Sequence, residues 1–233
     1  MTPLIFVYDG ILPDYCFYSL DLAIKYSNKK IILLATKDNK KIPKNIDCYF
    51  IEDFYEEKLS KKIKLLNQHE KFWNGFWVKT IERFFILESF SKNYNFNSFF
   101  HAELDNLIFD IESLDKKLDR IGRKFFFTKD RPHRGLAGLI YINSTNILTD
   151  FCNFVLENLK ENFLNDMELL GKFSNSHSEK CIILPNELDA FQTDKILFNA
   201  IDISTIDGIF DGARIGTFLF GVDPRISKGP VFN

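Results

Sequence analysis

Cysteine is scarce and dispersed in this chain. The four residues Cys16, Cys48, Cys152 and Cys181 form no CxxC pair, which excludes a zinc site of clustered thiolates and a disulfide-dense secreted scaffold. They read as free thiols of a reduced, cytoplasmic protein. Long hydrophobic runs are missing too: none approaches the roughly 20 apolar residues of a membrane span. The N-terminal MTPLIFVYDGILPDY has neither the basic start nor the long apolar stretch of a signal peptide. A soluble protein is expected, with at most peripheral contact with the inner face of a membrane. Nor is there a surplus of positive charge. The formal net charge is -2 and the pI about 6.1, so nothing draws the whole chain toward nucleic acid. Repeats, heptads and low-complexity linkers are absent, and one domain over residues 1–233 is the expectation.

What is present is a strongly apolar chain, 45% hydrophobic with 26 phenylalanines. The phenylalanines are spread through every apolar run, so they speak for a core and carry no function. Leu4–Tyr8 and Ile31–Ala35 are short continuous apolar runs, the mark of strands buried on both faces of a parallel sheet. Between them, residues 13–26 carry helical spacing and end at Ser27-Asn28, which makes a βαβ unit. The pattern continues with a strand over 48–51 and helices over 52–68 and 79–94. It places strands at 98–101, 125–127 and 138–143, and helices at 111–120, 144–162 and 166–173. A strand at 181–184 precedes a less regular last third. The fold class is α/β, with a mixed, mainly parallel sheet flanked by helices. The lysines at 58, 61, 62 and 64 alternate with acidic residues and read as a solvated helix face.

The segment FFHAELDNLIF, residues 99–109, carries the chemistry. Two carboxylates, Glu103 and Asp105, follow an apolar strand at its carboxyl end, the edge where open α/β sheets bind ligands. In an extended segment, residues two apart point to one side, so the pair can converge on a hard divalent cation. Mg²⁺ or Mn²⁺ takes such oxygen ligands and shares them with substrate phosphates. Acidic pairs at this spacing are common in solvated turns, and the flanking apolar runs are what single this one out. Asn106 reads as a turn former. His101, on the strand itself, reads equally as a buried polar residue or a ligand. The basic stretch 131–135, with His133, reads as an exposed loop or a phosphate contact. Trp73 and Trp77 flank Gly75 as packing residues or a sugar platform. His69 reads as a helix-surface residue.

The stretch KTIERFFILESFSKNYNFNSFFHAELDNLIF, residues 79–109, resembles GT-A glycosyltransferases, in which an arginine-bearing helix precedes a strand running into an acidic D-x-D motif. Arg83 falls at the arginine position and Glu103-Leu104-Asp105 on the acidic motif. GLIYINSTNIL, from Gly138, is similar to a second strand and helix of the same domain. FDGARIGTFLFGVDPR, from Phe210, resembles an FDGA-x-IG segment of bacterial surface-polysaccharide glycosyltransferases. The resemblance spans residues 79–225. It departs in having Glu at the first acidic position and Thr217-Phe218 where Gln-Tyr is expected. The chain stops soon after this segment, which leaves open a truncation from a longer protein.

The resemblance implies a GT-A domain that transfers a sugar from a nucleotide-diphosphate donor, UDP above all, with Mn²⁺ or Mg²⁺. The acceptor is a carbohydrate or lipid-linked glycan, in capsule or other surface-polysaccharide synthesis. It implies Asp105 as metal ligand, Glu103 on the metal's water shell or the donor ribose, and His177 as a distant third ligand. Arg83 reaches an acidic residue or the donor, unless it is a surface arginine. Tyr8 and Asp9, where the first strand ends, face the nucleotide base and ribose, unless they form a simple strand-ending turn. Asp211 is the catalytic base, an acceptor-binding carboxylate, or the N-cap of a helix over 213–220. Two other functions compete: a nucleotidyltransferase acting on sugar phosphates, and a non-catalytic nucleotide-sugar-binding module. The first lacks the glycine- and basic-rich loop that would follow Leu4–Tyr8.

Overall fold

The computed structural model describes residues 2–66, 75–159, 164–186, 200–206, 208 and 210. Its centre is a seven-stranded sheet. The chain order is β1 (Leu4–Tyr8), α1 (Asp14–Tyr26), β2 (Ile31–Ala35), β3 (Asp47–Phe50), a 3₁₀ turn at Ile51–Asp53, α2 (Glu57–Leu66) and α3 (Phe76–Asn93). There follow β4 (Phe99–Ala102), α4 (Leu114–Asp119), β5 (Phe125–Arg131), β6 (Arg134–Ile142), α5 (Thr145–Leu159), α6 (Asp166–Ser176), β7 (Cys181–Ile183) and α7 (Ile203–Ile206). The strands lie in the order β3-β2-β1-β4-β6-β5-β7. β3, β2, β1 and β4 run parallel, β6 is antiparallel to both its neighbours, and β7 runs parallel to β5. The mixed, mainly parallel sheet is the expected one.

Alternation along the strands divides the core. Ile5, Phe99, Phe125 and Phe127 face one layer with α3, α5 and α6, while Leu4, Phe6, Phe100 and Phe126 face the other with α1. The phenylalanines interlock edge to face: Phe151 lies 4.9 Å from Phe84, 5.4 Å from Phe125 and 5.2 Å from Phe173, centroid to centroid. Such pairs add about 0.5–1.5 kcal/mol each beyond the apolar area they bury.

Three local expectations are corrected. The helix read over 52–68 is a 3₁₀ turn followed by a shorter α2. α3 is not a one-faced amphipathic helix, since Glu82, Arg83, Ile86 and Ser91 are buried along with its apolar residues. It packs against β1, α2, α5 and α6, so neighbours surround it. The basic stretch near His133 is exposed and joins two strands as read, but it shrinks to the two-residue turn of a hairpin, because β5 and β6 run on to Arg131 and Arg134. There Arg134 pairs with Asp130 at 3.2 Å.

Candidate functional site

The end of β4 sets the site. Past Ala102 the chain leaves the sheet in a turn in which the Asn106 amide donates to the Glu103 carbonyl at 3.1 Å. The Gly138 carbonyl on β6 accepts from the Glu103 amide at 3.1 Å and from Asn106 Nδ2 at 2.7 Å. The Ser19 hydroxyl of α1 donates to the Asn106 carbonyl at 2.6 Å. Asn106 is thus the turn former. A turn also replaces the extended geometry expected of this segment, and it sets the two carboxylates in different surroundings: Leu104 is buried, Glu103 half-buried and Asp105 exposed.

Arg83 decides what each carboxylate can do. Its guanidinium donates to Glu103 through Nη1 and to Asp166, at the start of α6, through Nη2. Arg83 and Asp166 are 8% and 3% exposed, so this half of the triad sits almost wholly out of water, while Glu103 forms its half-buried outer end. A buried carboxylate without a cation would be costly, and the planar guanidinium can serve two at once. Burial opposes charge on Glu103, but Arg83 overrides it and holds this carboxyl below the usual range. At Asp166 burial wins, and the pKa is raised despite Arg83. For Asp105, desolvation by the surrounding protein and then the Glu103 charge raise the carboxyl. Glu103 is therefore tied to the scaffold, whereas Asp105 makes no ion pair among the described residues.

His101, just before the turn, is 1% exposed. Burial, and after it the Arg83 charge, push its pKa down to about 3. The neutral ring donates through Nδ1 to the Ile5 carbonyl at 2.9 Å, which leaves the Nε2 lone pair buried without a partner. Three of the seven buried side-chain atoms without a hydrogen-bond partner among the described residues belong to Arg83, His101 and Asp166. Unsatisfied polar atoms are rare in folded proteins, so their gathering here sets this edge of the sheet apart.

On the neighbouring strand, β1 ends in half-buried Tyr8 and Asp9. Lys79, from the first turn of α3, donates to the Asp9 carbonyl at 2.7 Å and lies 3.4 Å from its carboxylate. Gly10 has φ +142, and a Cβ there would come within 3.6 Å of the Tyr8 ring and 3.8 Å of Lys79 Nζ. The Asn39 side chain pins the following backbone, accepting from the Leu12 amide at 2.8 Å and donating to the Gly10 carbonyl at 2.8 Å. Since β1 and β4 are adjacent and parallel, this cradle and the acidic turn share one sheet edge.

The fold thus brings Tyr8, Asp9, Arg83, Glu103 and Asp105 to one edge. It does not bring His177 there. That residue ends α6, about 16 Å along the helix from Asp166 at 1.5 Å per residue, with its ring stacked on Phe173 at 4.7 Å. Trp77 is buried, at 9% exposure, and offers no platform. Asp211, His69 and Trp73 lie outside the described residues. Sequence reasoning missed Asp166 and Lys79. The Asn165-x-x-Glu168 capping box, formed by bonds of 2.9 and 3.0 Å, was the available signal for Asp166. It marks a helix start without saying what the next side chain faces.

No protein-family model matches the chain, and no curated protein matches it in sequence. Solved structures do match. Mouse xyloside xylosyltransferase 1 superposes with a TM-score of 0.52 at 8% identity, covering 86% of this chain and 94% of that one. The galactosyltransferase LgtC, solved with donor and acceptor sugar analogues, gives 0.52 at 12% identity, covering 86% and 84%. The PaToxG glycosyltransferase gives 0.50 at 9%, covering 76% and 70%. The fold is GT-A. In this GT-A chain the acidic turn follows β4, and the antiparallel β6 beside it supplies the carbonyl that clamps the turn.

Among the described residues no group of three or more His, Cys, Asp or Glu side chains surrounds a metal position. What is present is one open carboxylate beside one anchored carboxylate. That suits a hard cation held by one or two protein oxygens and completed by a substrate's phosphates, and it does not suit a cage made of protein alone.

Proposed function

We propose that this chain is a metal-dependent glycosyltransferase that moves a sugar from a nucleotide-diphosphate donor, a UDP-sugar, to a carbohydrate or lipid-linked acceptor. The observation that carries the proposal is the division of labour at the acidic turn of a GT-A sheet: Arg83 anchors Glu103, and Asp105 is left open. Asp105 is the residue to hold Mn²⁺ or Mg²⁺, with Glu103 oriented behind it. The cation would supply Lewis-acid stabilisation for the diphosphate as negative charge develops on it. This chain's own groups do the rest. Tyr8 and the Asp9–Lys79 pair flank the nucleotide end, and Arg83 with Asp166 holds Glu103 in a fixed orientation beneath the donor. Asp211, in the segment that resembles FDGA-x-IG, is the acceptor-side carboxylate and candidate base. The same resemblance supports a role in capsule or other surface-polysaccharide synthesis on the cytoplasmic side of the membrane. No helix among the described residues is long and apolar enough to cross a membrane.

Calorimetry with UDP, with and without Mn²⁺, tests the reading. Binding to the intact protein should depend on Mn²⁺ and weaken at least about tenfold in Asp105→Ala, as expected when a cation loses its protein ligand. An intact protein that binds no nucleotide with either cation would overturn the assignment.

A further inference from the structure

A second polar feature lies away from the acidic turn. A cavity of about 440 Å³ opens between the end of β5, β7 and the last turn of α6, lined by Lys129, Ser174, Asn175, Ser178 and residues 181–183. Its volume falls within the range of small-molecule sites. From Asp166 to Ser174 the distance along α6 is about 12 Å at 1.5 Å per residue, so the cavity is separate from the triad.

Lys129 sets the chemistry of this cavity. It is 4% exposed, and its ammonium donates to two neutral acceptors, the Pro132 carbonyl at 3.1 Å and Asn175 Oδ1 at 2.9 Å. No carboxylate pairs with it among the described residues. Asp130, its neighbour in sequence, is taken by Arg134, and Lys180 and Asp150 pair with each other. An ammonium has three N–H donors, and two of them are placed. A lysine with so little exposure is rarely left without a counter-charge. Tethering the hairpin turn to α6 accounts for the two bonds, but a neutral amide such as Gln could donate both without bringing a charge into the protein. Around the cation stand the exposed Ser178 hydroxyl and the apolar surface of Ile182 and Ile183.

We infer that this cavity binds a small organic anion, a carboxylate or phosphate ester of about monosaccharide size, with Lys129 as its counter-ion and Ile182 and Ile183 against its carbon frame. The site is independent of the nucleotide-sugar reading. Its ligand could be a charged sugar or a free metabolite carrying the same group.

The test is NMR titration of the full chain with glucuronate, glucose phosphate and uncharged glucose, with inorganic phosphate as a fourth arm. Either sugar anion should shift the Ile182, Ile183 and Ser178 signals and bind at least about tenfold more tightly than glucose, the scale expected when a charge-assisted contact is added. Inorganic phosphate binding as tightly as the sugar anions would reduce the site to an ion contact and overturn the organic ligand. Lys129→Met should abolish the preference and Lys129→Arg should retain much of it. Asp105→Asn should leave it unchanged, which separates this site from the proposed donor site. Anions that bind no better than glucose, or that shift signals at the acidic turn instead of the cavity, would overturn the proposal, and this result from the unmutated protein does not depend on how any variant folds.

Discussion

Two low-exposure cations lie at opposite ends of α6, and the fold treats them in opposite ways. At the N-terminal end Arg83 is shared by Glu103 and Asp166, with Asp105 close by. At the C-terminal end Lys129 meets only a backbone carbonyl and an amide oxygen. The residue types suit their settings. A guanidinium is a planar fork that can bond two carboxylates in fixed directions, whereas an ammonium is a compact charge that can turn toward whatever acceptors are near. The first end keeps a surplus of negative charge even after Arg83 is counted, the setting for a cation. The second keeps a surplus of positive charge, the setting for an anion. Burial by itself says little about function; the balance of charge left over after burial says more.

Removing each cation is the strongest way to break this contrast. Arg83→Met leaves the buried Asp166 carboxylate without its cation, and the expected loss is about 3–5 kcal/mol, the scale for uncovering one side of a buried ion pair. Lys129→Met removes a buried charge that has no carboxylate partner among the described residues, and stability should stay within about 1 kcal/mol of the parent. Denaturant unfolding of both variants measures the difference, and equal losses would erase it.

A smaller effect is expected midway along the helix that joins the two ends. A Cβ on Gly171 would lie 2.1 Å from the His133 carbonyl oxygen and 2.6 Å from the Arg134 amide nitrogen. Both are backbone atoms of the hairpin turn, so neither can swing aside. Gly171→Ala should cost about 1–3 kcal/mol by overpacking, read as a lowered Tm. An unchanged Tm would mean that α6 does not rest on the hairpin as closely as described.

The smallest effect sharpens the Lys129 end. Burial pushes the Cys181 thiol up to about 12, against the opposing pull of the Lys129 charge. The thiolate is the reactive form, so at about pH 8 Cys181 should resist alkylation while half-exposed Cys48 reacts first. Reactivity at Cys181 should rise only as pH climbs toward its pKa. Lys129→Met removes a charge that favours the thiolate, so it should push the thiol higher still and slow the reaction. Rates followed by mass spectrometry against pH give the answer, and faster alkylation in the variant would contradict the arrangement.

Much of the sheet was legible because its strands announce themselves. Leu4–Tyr8 and Ile31–Ala35 have the bounds expected of them, since a strand buried on both faces needs an unbroken apolar run and turn residues close it. The antiparallel β6 and its hairpin were harder. Lys129, Asp130, Arg131 and Arg134 look like loop residues, and only pairing across the hairpin shows that the strands continue through them. α3 was legible as a helix, but its burial on nearly every side was not, because Glu82, Arg83 and Ser91 break the apolar pattern.

The site divides the same way. The sequence by itself determined an acidic segment at the carboxyl end of a buried strand, an arginine on the preceding helix and a parallel-sheet start, because local periodicity and turn chemistry encode these. Only the tertiary structure decided that the segment is a turn in place of an extended strand end, that Arg83 goes to Glu103 and not to Asp105, and that Asp166 closes the triad from 83 residues away. It also took His177 to the far end of α6 and left Lys129 beside a cavity. The physical reason is that a side chain's charge partner is chosen by three-dimensional proximity and burial, and no local pattern records which distant carboxylate a helix packing event will deliver.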